Sequence, residues 1–173
     1  SDVTAIASGG RNNYSVYNDA STTRMTDVTA TASGGKYNYG VYNSWNSTTS
    51  MTGVTATASG EDDNIGIYNS WNSSITLTDV TAAASGGRYN FRVYNDDSSI
   101  IMTDVTAAAS GEQCNYSKGN DDFSTTIRHC TLAGNYYGIY VSKEATGTTQ
   151  PPIMESEALY SGIPGSGVLA QGA

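Results

Sequence analysis

The sequence predicts an all-β chain folded as a right-handed parallel β-helix, a solenoid of about seven coils of 25–26 residues with three short strands per coil. Three observations predict it. The phrase Met-Thr-Asp-Val-Thr-Ala at 25–30 returns, with at most one substitution, at 51–56, 77–82 and 102–107, and Asp2-Val-Thr-Ala opens the chain inside the same phrase. Counted through Asp2, Asp27, Gly53, Asp79 and Asp104, its steps are 25, 26, 26 and 25 residues, a period that marks a solenoid or an array. Within each period apolar and polar residues alternate, as strands with one buried face require, and Gly- and Asn-bearing turns punctuate them.

Taking the second coil as the pattern, the first strand is expected to carry Val28, Ala30 and Ala32 inward and Thr29 and Thr31 outward. The second is expected to carry Tyr39 and Val41 inward, and the third Thr49 and Met51. Ser33-Gly34-Gly35 and Asn43-Ser44 mark the turns, where Gly and Asn tolerate the left-handed conformation. The register persists as the phrase decays, because Ile127, Cys130 and Leu132 keep the apolar spacing of Met102, Val105 and Ala107. Ile153 and Ser161-Gly162 then announce a seventh coil that stops after Leu169. The chain therefore reads as one domain over 1–173, regular over 1–141, with a degenerate last coil and C-terminal arm over 142–173.

Stacked coils lie about 4.8 Å apart, so like residues form ladders along the axis. Ala5, Ala30, Ala56, Ala82 and Ala107 keep the interior narrow, and Asn18, Asn43, Asn69, Asn95 and Asn120 form a structural row at a turn. Stacked amides can pass hydrogen bonds from coil to coil and satisfy groups that the turn would otherwise bury unpaired. A leucine-rich repeat would need Leu where this chain has Val, Ala, Met and Tyr, and units of six or nine residues do not divide 25 or 26 evenly.

Units of the form Met-Thr-Asp-Val-Thr-Ala-Thr-Ala-Ser-Gly-Gly followed by Tyr-Gly-Val-Tyr-Asn resemble the repeat proteins of the pectate-lyase-like superfamily of right-handed parallel β-helices, over residues 1–141 above all. The resemblance implies the fold. It leaves the function open among polysaccharide lyases and hydrolases, phage tailspikes, adhesins and structural proteins.

Composition narrows the partners. A net charge of −8 with eight scattered Lys and Arg leaves no basic stripe for a phosphate backbone, so no nucleic acid is expected. No apolar run approaches the roughly 20 residues of a membrane span, so no membrane insertion is expected. Only 14% of residues are charged, and with abundant Ser, Thr, Asn and Gly and one cysteine pair the chain suits an extracellular or cell-surface location. Asn-x-Ser/Thr acceptor sequences stand at Asn13, Asn46, Asn72 and Asn115.

Lyases of the resembled superfamily hold Ca²⁺ on acidic residues. The best such group here is Asp96, Asp97, Asp121 and Asp122, at matching offsets in two coils. A solvated acidic turn is the plainer account and is preferred, so no cofactor is expected. Glu61-Asp62-Asp63 is read as a loop with no aligned partner above or below. His129 aligns with Asp104, but no nucleophile is specified beside it, and Asp27, Asp79 and Asp104 form a row that becomes Gly53 in coil three. No catalytic residue is assigned, and the chain is read as not an enzyme. Cys114 and Cys130 form either a disulfide between neighbouring coils or two separate thiols.

Outward residues carry more. Tyr17, Tyr42, Tyr68 and Tyr94 form an aromatic row that Trp45 and Trp71 extend at the next turn, as a contact surface for another chain or a sugar, or as stacking that stabilises the sheet. Thr4, Thr29, Thr55, Thr81, Thr106 and Thr131, with Thr31 and Thr57 beside them, resemble an ice-binding face, broken at Ile6, Ala83 and Ala108. Neither end shows a capping element, and the last coil lacks roughly one strand. The expected function is therefore a self-assembling extracellular fibre subunit, a homopolymer stacked head to tail. A carbohydrate-binding or polysaccharide-cleaving β-helix is the alternative and an ice-binding solenoid the third.

Overall fold

Alternation in the repeated phrase is realised in the backbone. In the computed structural model the backbone is described for residues 2–96, 98–110, 113–116, 125–128, 130–134, 139–142, 153–155, 158–161 and 168–171, and side chains for 2–96, 98–110 and 130. The strands in chain order are β1 (Val3–Ser8), β2 (Asn12–Asp19), β3 (Thr22–Thr26), β4 (Val28–Ser33), β5 (Tyr37–Ser44), β6 (Thr48–Thr52), β7 (Thr55–Ser59), β8 (Asp63–Asn69), β9 (Ser74–Thr78), β10 (Thr81–Ser85), β11 (Tyr89–Asn95) and β12 (Ser99–Thr103). They continue as β13 (Thr106–Ser110), β14 (Gln113–Tyr116), β15 (Thr125–Arg128), β16 (Thr131–Gly134), β17 (Ile139–Ser142), β18 (Ile153–Glu155), β19 (Ala158–Ser161) and β20 (Val168–Gln171). No helix occurs among the described residues.

Every third strand joins the same sheet, so the chain is an all-β parallel solenoid with three strands per coil. The first sheet has seven strands in the order β1-β4-β7-β10-β13-β16-β19, and the third has six, β3 to β18. The second runs β2-β5-β8-β11-β14, and β17 pairs with β20 apart from it. All pairings are parallel and follow the repeat, for example Ala5↔Ala30, Ala30↔Ala56 and Ala82↔Ala107. Four turns, β1 to β12, form the regular part. Where β11 meets β14 the register slips between Tyr89 and Asn90, whereas the first and third sheets keep the repeat register into β16 and β15.

Among the described residues one narrow core fills the tube. Ala30, Ala56, Ala82 and Ala107 line one wall, opposed by Val41, Ile67 and Val93 from the second sheet and by Met51, Leu77 and Met102 from the third. Each of these larger side chains contributes about 1.5–3 kcal/mol by burial. Thr49 is buried beside Met51, as the alternation predicts.

The second strand departs from simple alternation. In β5, Asn38, Gly40, Val41 and Asn43 are buried while Tyr39 and Tyr42 lie on the outer side. Tyr39, expected inward, faces out because the strand bends at Gly40-Val41 and turns two successive residues inside. In coil two the bend leaves no room for a side chain. A Cβ at Gly40 would stand 2.6 Å from Gly66 O and 3.0 Å from both Thr57 N and Thr57 O, all backbone atoms. In coil one Ser15 uses the same position, donating from Oγ to Ala5 O at 2.6 Å and accepting from Thr31 N at 3.1 Å.

Coil four puts Arg92 there. It is fully buried, and Nη2 donates to Ala109 O at 3.2 Å, while Nε and Nη1 have no partner among the described residues. Burial holds its pKa well below the ordinary arginine value, since the charged form is penalised in a low-dielectric interior.

Two rows of buried amides flank the second sheet. Asn13 Nδ2 donates to Asn38 Oδ1 at 2.9 Å, Asn38 Nδ2 to Asn64 Oδ1 at 2.9 Å, and Asn64 Nδ2 to Asn90 Oδ1 at 3.1 Å. Each also closes the preceding glycine turn, as when Gly35 N donates to Asn38 Oδ1 at 3.1 Å and Asn38 Nδ2 donates to Gly35 O at 2.8 Å. At the far edge Asn43 Nδ2 donates to Asn69 Oδ1 at 2.5 Å and Asn69 Nδ2 to Asn95 Oδ1 at 2.6 Å.

Asn64→Ala removes a donor and an acceptor from the middle of one row and should cost about 3 kcal/mol, read as a lower urea midpoint at unchanged slope. Ser50→Ala, exposed on the same solenoid, should shift it by no more than about 0.5 kcal/mol. Arg92→Met removes a buried charge that has no counter-charge among the described residues and should raise stability at neutral pH by about 1–3 kcal/mol, seen as a higher melting temperature.

Candidate functional site

Parallel strands in register set neighbouring coils about 4.8 Å apart, close to the stacking distance of aromatic rings, so one aromatic per coil becomes a column. On the outer face of the second sheet Tyr17 and Tyr42 stack with centroids 5.1 Å apart, Tyr42 and Tyr68 at 4.8 Å, and Tyr68 and Tyr94 at 5.4 Å. Tyr14 and Tyr39 form a second column at 4.9 Å and 6°, continued by Ile65 and Phe91 in register. The columns meet edge to face, Tyr39 against Tyr42 at 5.2 Å and Phe91 against Tyr94 at 5.0 Å. Such pairs contribute about 0.5–1.5 kcal/mol each beyond area burial. Within a column each middle ring is covered on both faces, and the surface presents ring edges and phenol hydroxyls. Trp45 and Trp71 stack at 4.9 Å and 5° one corner further on.

A charged strip borders the other edge of this sheet. Arg11 and Lys36 lie over Tyr37, at 5.9 and 5.3 Å from its centroid, and Arg88 over Tyr89 at 5.2 Å. Asp62 pairs with Lys36 one coil away at 3.4 Å. The expectation that Glu61-Asp62-Asp63 is a loop without an aligned partner holds for the bend at Glu61 and Asp62 and is corrected in two respects. Asp62 has Lys36 beside it, and Asp63 opens β8, paired with Tyr37 on one side and Tyr89 on the other. Burial and the neighbouring Asp62 raise the Asp63 pKa, against the lowering influence of Lys36 and Arg88.

Asn43, Asn69 and Asn95 are the linked amide row described above, and Asn18 Oδ1 instead accepts from Thr23 Oγ1 at 3.1 Å. Left-handed backbone at this corner does not fall at Asn43-Ser44 as expected. It falls at Trp45 and Asn46 (φ 54° and 58°) and at Trp71 and Asn72 (both 58°), because Asn43 is committed to the interior. Asp27, Gly53, Asp79 and Asp104 share another left-handed corner, with φ between 52° and 62°. That is why Gly can replace Asp there.

Of the acceptor asparagines, Asn13 is only 4% exposed and its Nδ2 lies against Gly10 O, Ser33 O and Asn38 Oδ1, whereas Asn46 and Asn72 are exposed. Cys130 packs in the core cluster. The side chains of Cys114 and Asn115, and all of Asp97, Asn120, Asp121, Asp122 and His129, lie outside the described residues, so Asp96 alone of the acidic quartet is described. The threonine row is in register, and Thr57 Oγ1 donates to Thr31 Oγ1 at 3.1 Å. No three His, Cys, Asp or Glu side chains come together among the described residues.

Sequence reasoning missed two rows. One is the Asn13–Asn90 row, although its Asn recurs at a fixed offset from each glycine turn. The other is a serine row in which Ser21 N donates to Ser47 Oγ at 3.2 Å, Ser47 N to Ser73 Oγ at 3.2 Å, and Ser73 N to Ser98 Oγ at 3.1 Å. No known family matches the chain, nor does any curated protein or solved structure.

Burial pushes Tyr42 up to about 12 and raises Tyr39 and Tyr68 above the ordinary phenol value of 10.0. The unfolded chain therefore releases these protons first. Their contribution to stability is complete below pH 10 and is lost as pH rises through the folded values. In an alkaline titration, phenolate absorbance of the folded chain should lag that of the urea-unfolded chain above pH 10, and the melting temperature should fall over the same interval.

Proposed function

We propose that this chain is a structural rod, a subunit of an extracellular or cell-surface fibre in which coils of one copy stack on coils of the next. The observation that carries the reading is the direction of the ladders. From Asn13 to Asn90 every link runs from Nδ2 of one coil to Oδ1 of the following coil, and the serine row runs likewise from backbone N–H to hydroxyl. Each coil thus offers donors to one side and acceptors to the other. Such a surface is complementary to a copy of itself, and a head-to-tail contact of that kind propagates without closing. The aromatic columns add a second set of groups that repeat at the coil spacing.

In this reading the chain belongs with the right-handed, pectate-lyase-like solenoids without their lyase chemistry. The polar rows serve coil-to-coil contact, and the left-handed corner accounts for the repeated Asp. Sparse charge and the two exposed acceptor asparagines support an extracellular setting.

A second reading, a carbohydrate-binding β-helix, is favoured by one observation, the half-exposed tryptophan pair. The in-register threonines give the ice-binding reading less, because their second row is interrupted by Ile6 and Ala83.

Electron microscopy and sedimentation of the purified chain are expected to show filaments whose length grows with concentration. Monodisperse single particles at every concentration, with and without calcium, would overturn the fibre reading.

A further inference from the structure

We propose that Trp45 and Trp71 form a ledge that binds an uncharged glycan, with a sugar ring seated on an open indole face. The asparagine and serine rows frame this corner in four coils. Between them coils one and four have two residues, Asp19-Ala20 and Asp96-Asp97, whereas coils two and three have three, Ser44-Trp45-Asn46 and Ser70-Trp71-Asn72. In coil one the shorter turn closes the same corner, so the stack does not require the added residue. The longer turn also holds two successive left-handed residues, the first of them a tryptophan, at φ 54° and 58° in one coil and 58° and 58° in the next. A bulky side chain is disfavoured in that conformation, and strain retained at matching places points to what the side chain does outside.

The indoles are parallel at 4.9 Å, yet Trp45 is 53% and Trp71 52% exposed. A ring covered on both faces could not expose that much, so the stack covers one face of each indole and leaves the other to solvent. Below Trp45 the corresponding position is Ala20, whose backbone N donates to Ser44 O at 3.3 Å and whose methyl group is too small to cover an indole. This separates the ledge from the tyrosine columns, whose middle rings offer only edges.

An open indole face takes the C–H face of a pyranose, while the exposed Asn46 side chain and Asp19 carboxylate offer partners to its hydroxyls. Charge selects the class of glycan. Asp19 stands at the ledge, and Arg11, Lys36 and Arg88 line the opposite edge of the second sheet. In a chain of net charge −8 a polyanionic glycan is repelled here and an uncharged one is not.

The chain has two tryptophans, both in the ledge, so indole fluorescence reads this site alone. Titration with cellohexaose or chitohexaose is expected to give, for at least one of them, a saturable blue shift and protection from acrylamide quenching. Polygalacturonate should give neither. Trp45→Asn keeps a residue suited to the left-handed backbone while removing the ring. It should weaken retention on insoluble cellulose or chitin roughly tenfold with unchanged far-ultraviolet circular dichroism, and Trp45→Phe should restore part of it. No response to either sugar, or equal retention of folded Trp45→Asn, would overturn the proposal. So would a blue shift that grows with protein concentration in the absence of sugar, which would assign the ledge to contact between copies. Because the fibre reading rests on the asparagine and serine rows, filaments can form or fail independently of these results.

Discussion

The separation of neighbouring coils, about 4.8 Å between parallel strands in register, governs every other feature of this chain. At that distance most side chains in the regular coils have a counterpart directly above and below, and residues compatible with copies of themselves form the long rows. Ala on Ala leaves the tube narrow, Val on Val fills it, and Tyr on Tyr stacks. Asn on Asn is the informative case. Its side chain carries a donor and an acceptor that mate with an identical group one coil away, so a polar residue can be buried in a row without leaving its members unpaired.

That property explains how a chain with only 38% hydrophobic residues holds together. The interior includes amide and hydroxyl groups as well as hydrocarbon, and each coil edge is closed by Asn or Ser bonding to the next coil and to its own turn. Arg92 shows the rule by breaking it. A guanidinium has donors and no acceptor, cannot pair with a copy of itself, and stands where the coils below have Ser15, Gly40 and Gly66. The register slip between β11 and β14 begins within two residues of it.

The fold was legible because translation along the axis appears in sequence as simple recurrence. Val28, Ala30 and Ala32 could be placed inside, and the tyrosine and threonine rows aligned, by counting 25 or 26. What recurrence does not encode is the path of the chain between rungs. Alternation counted back from Val41 put Tyr39 inside, because nothing in a period of two signals the bend that close approach of Gly40 to the Thr57 backbone permits. The same gap hid the inward Asn38, misplaced the left-handed residues by two positions, and obscured the Lys36–Asp62 pair, which only a register along the axis reveals. At the candidate site the tryptophans were visible, but not that one face of each indole is left open.

The corner carrying Trp45 and Trp71 has a consequence for how such a chain can change over generations. Duplicating or removing a whole regular coil would keep the ladders in register, so the length of the solenoid is not fixed by its cross-section. Novelty of side chain, by contrast, is confined wherever a neighbour must match. The corner between the asparagine and serine rows escapes that confinement, since it accepts two residues or three while the frame on either side stays fixed. It is the place where surface side chains can change without any change in the solenoid that carries them.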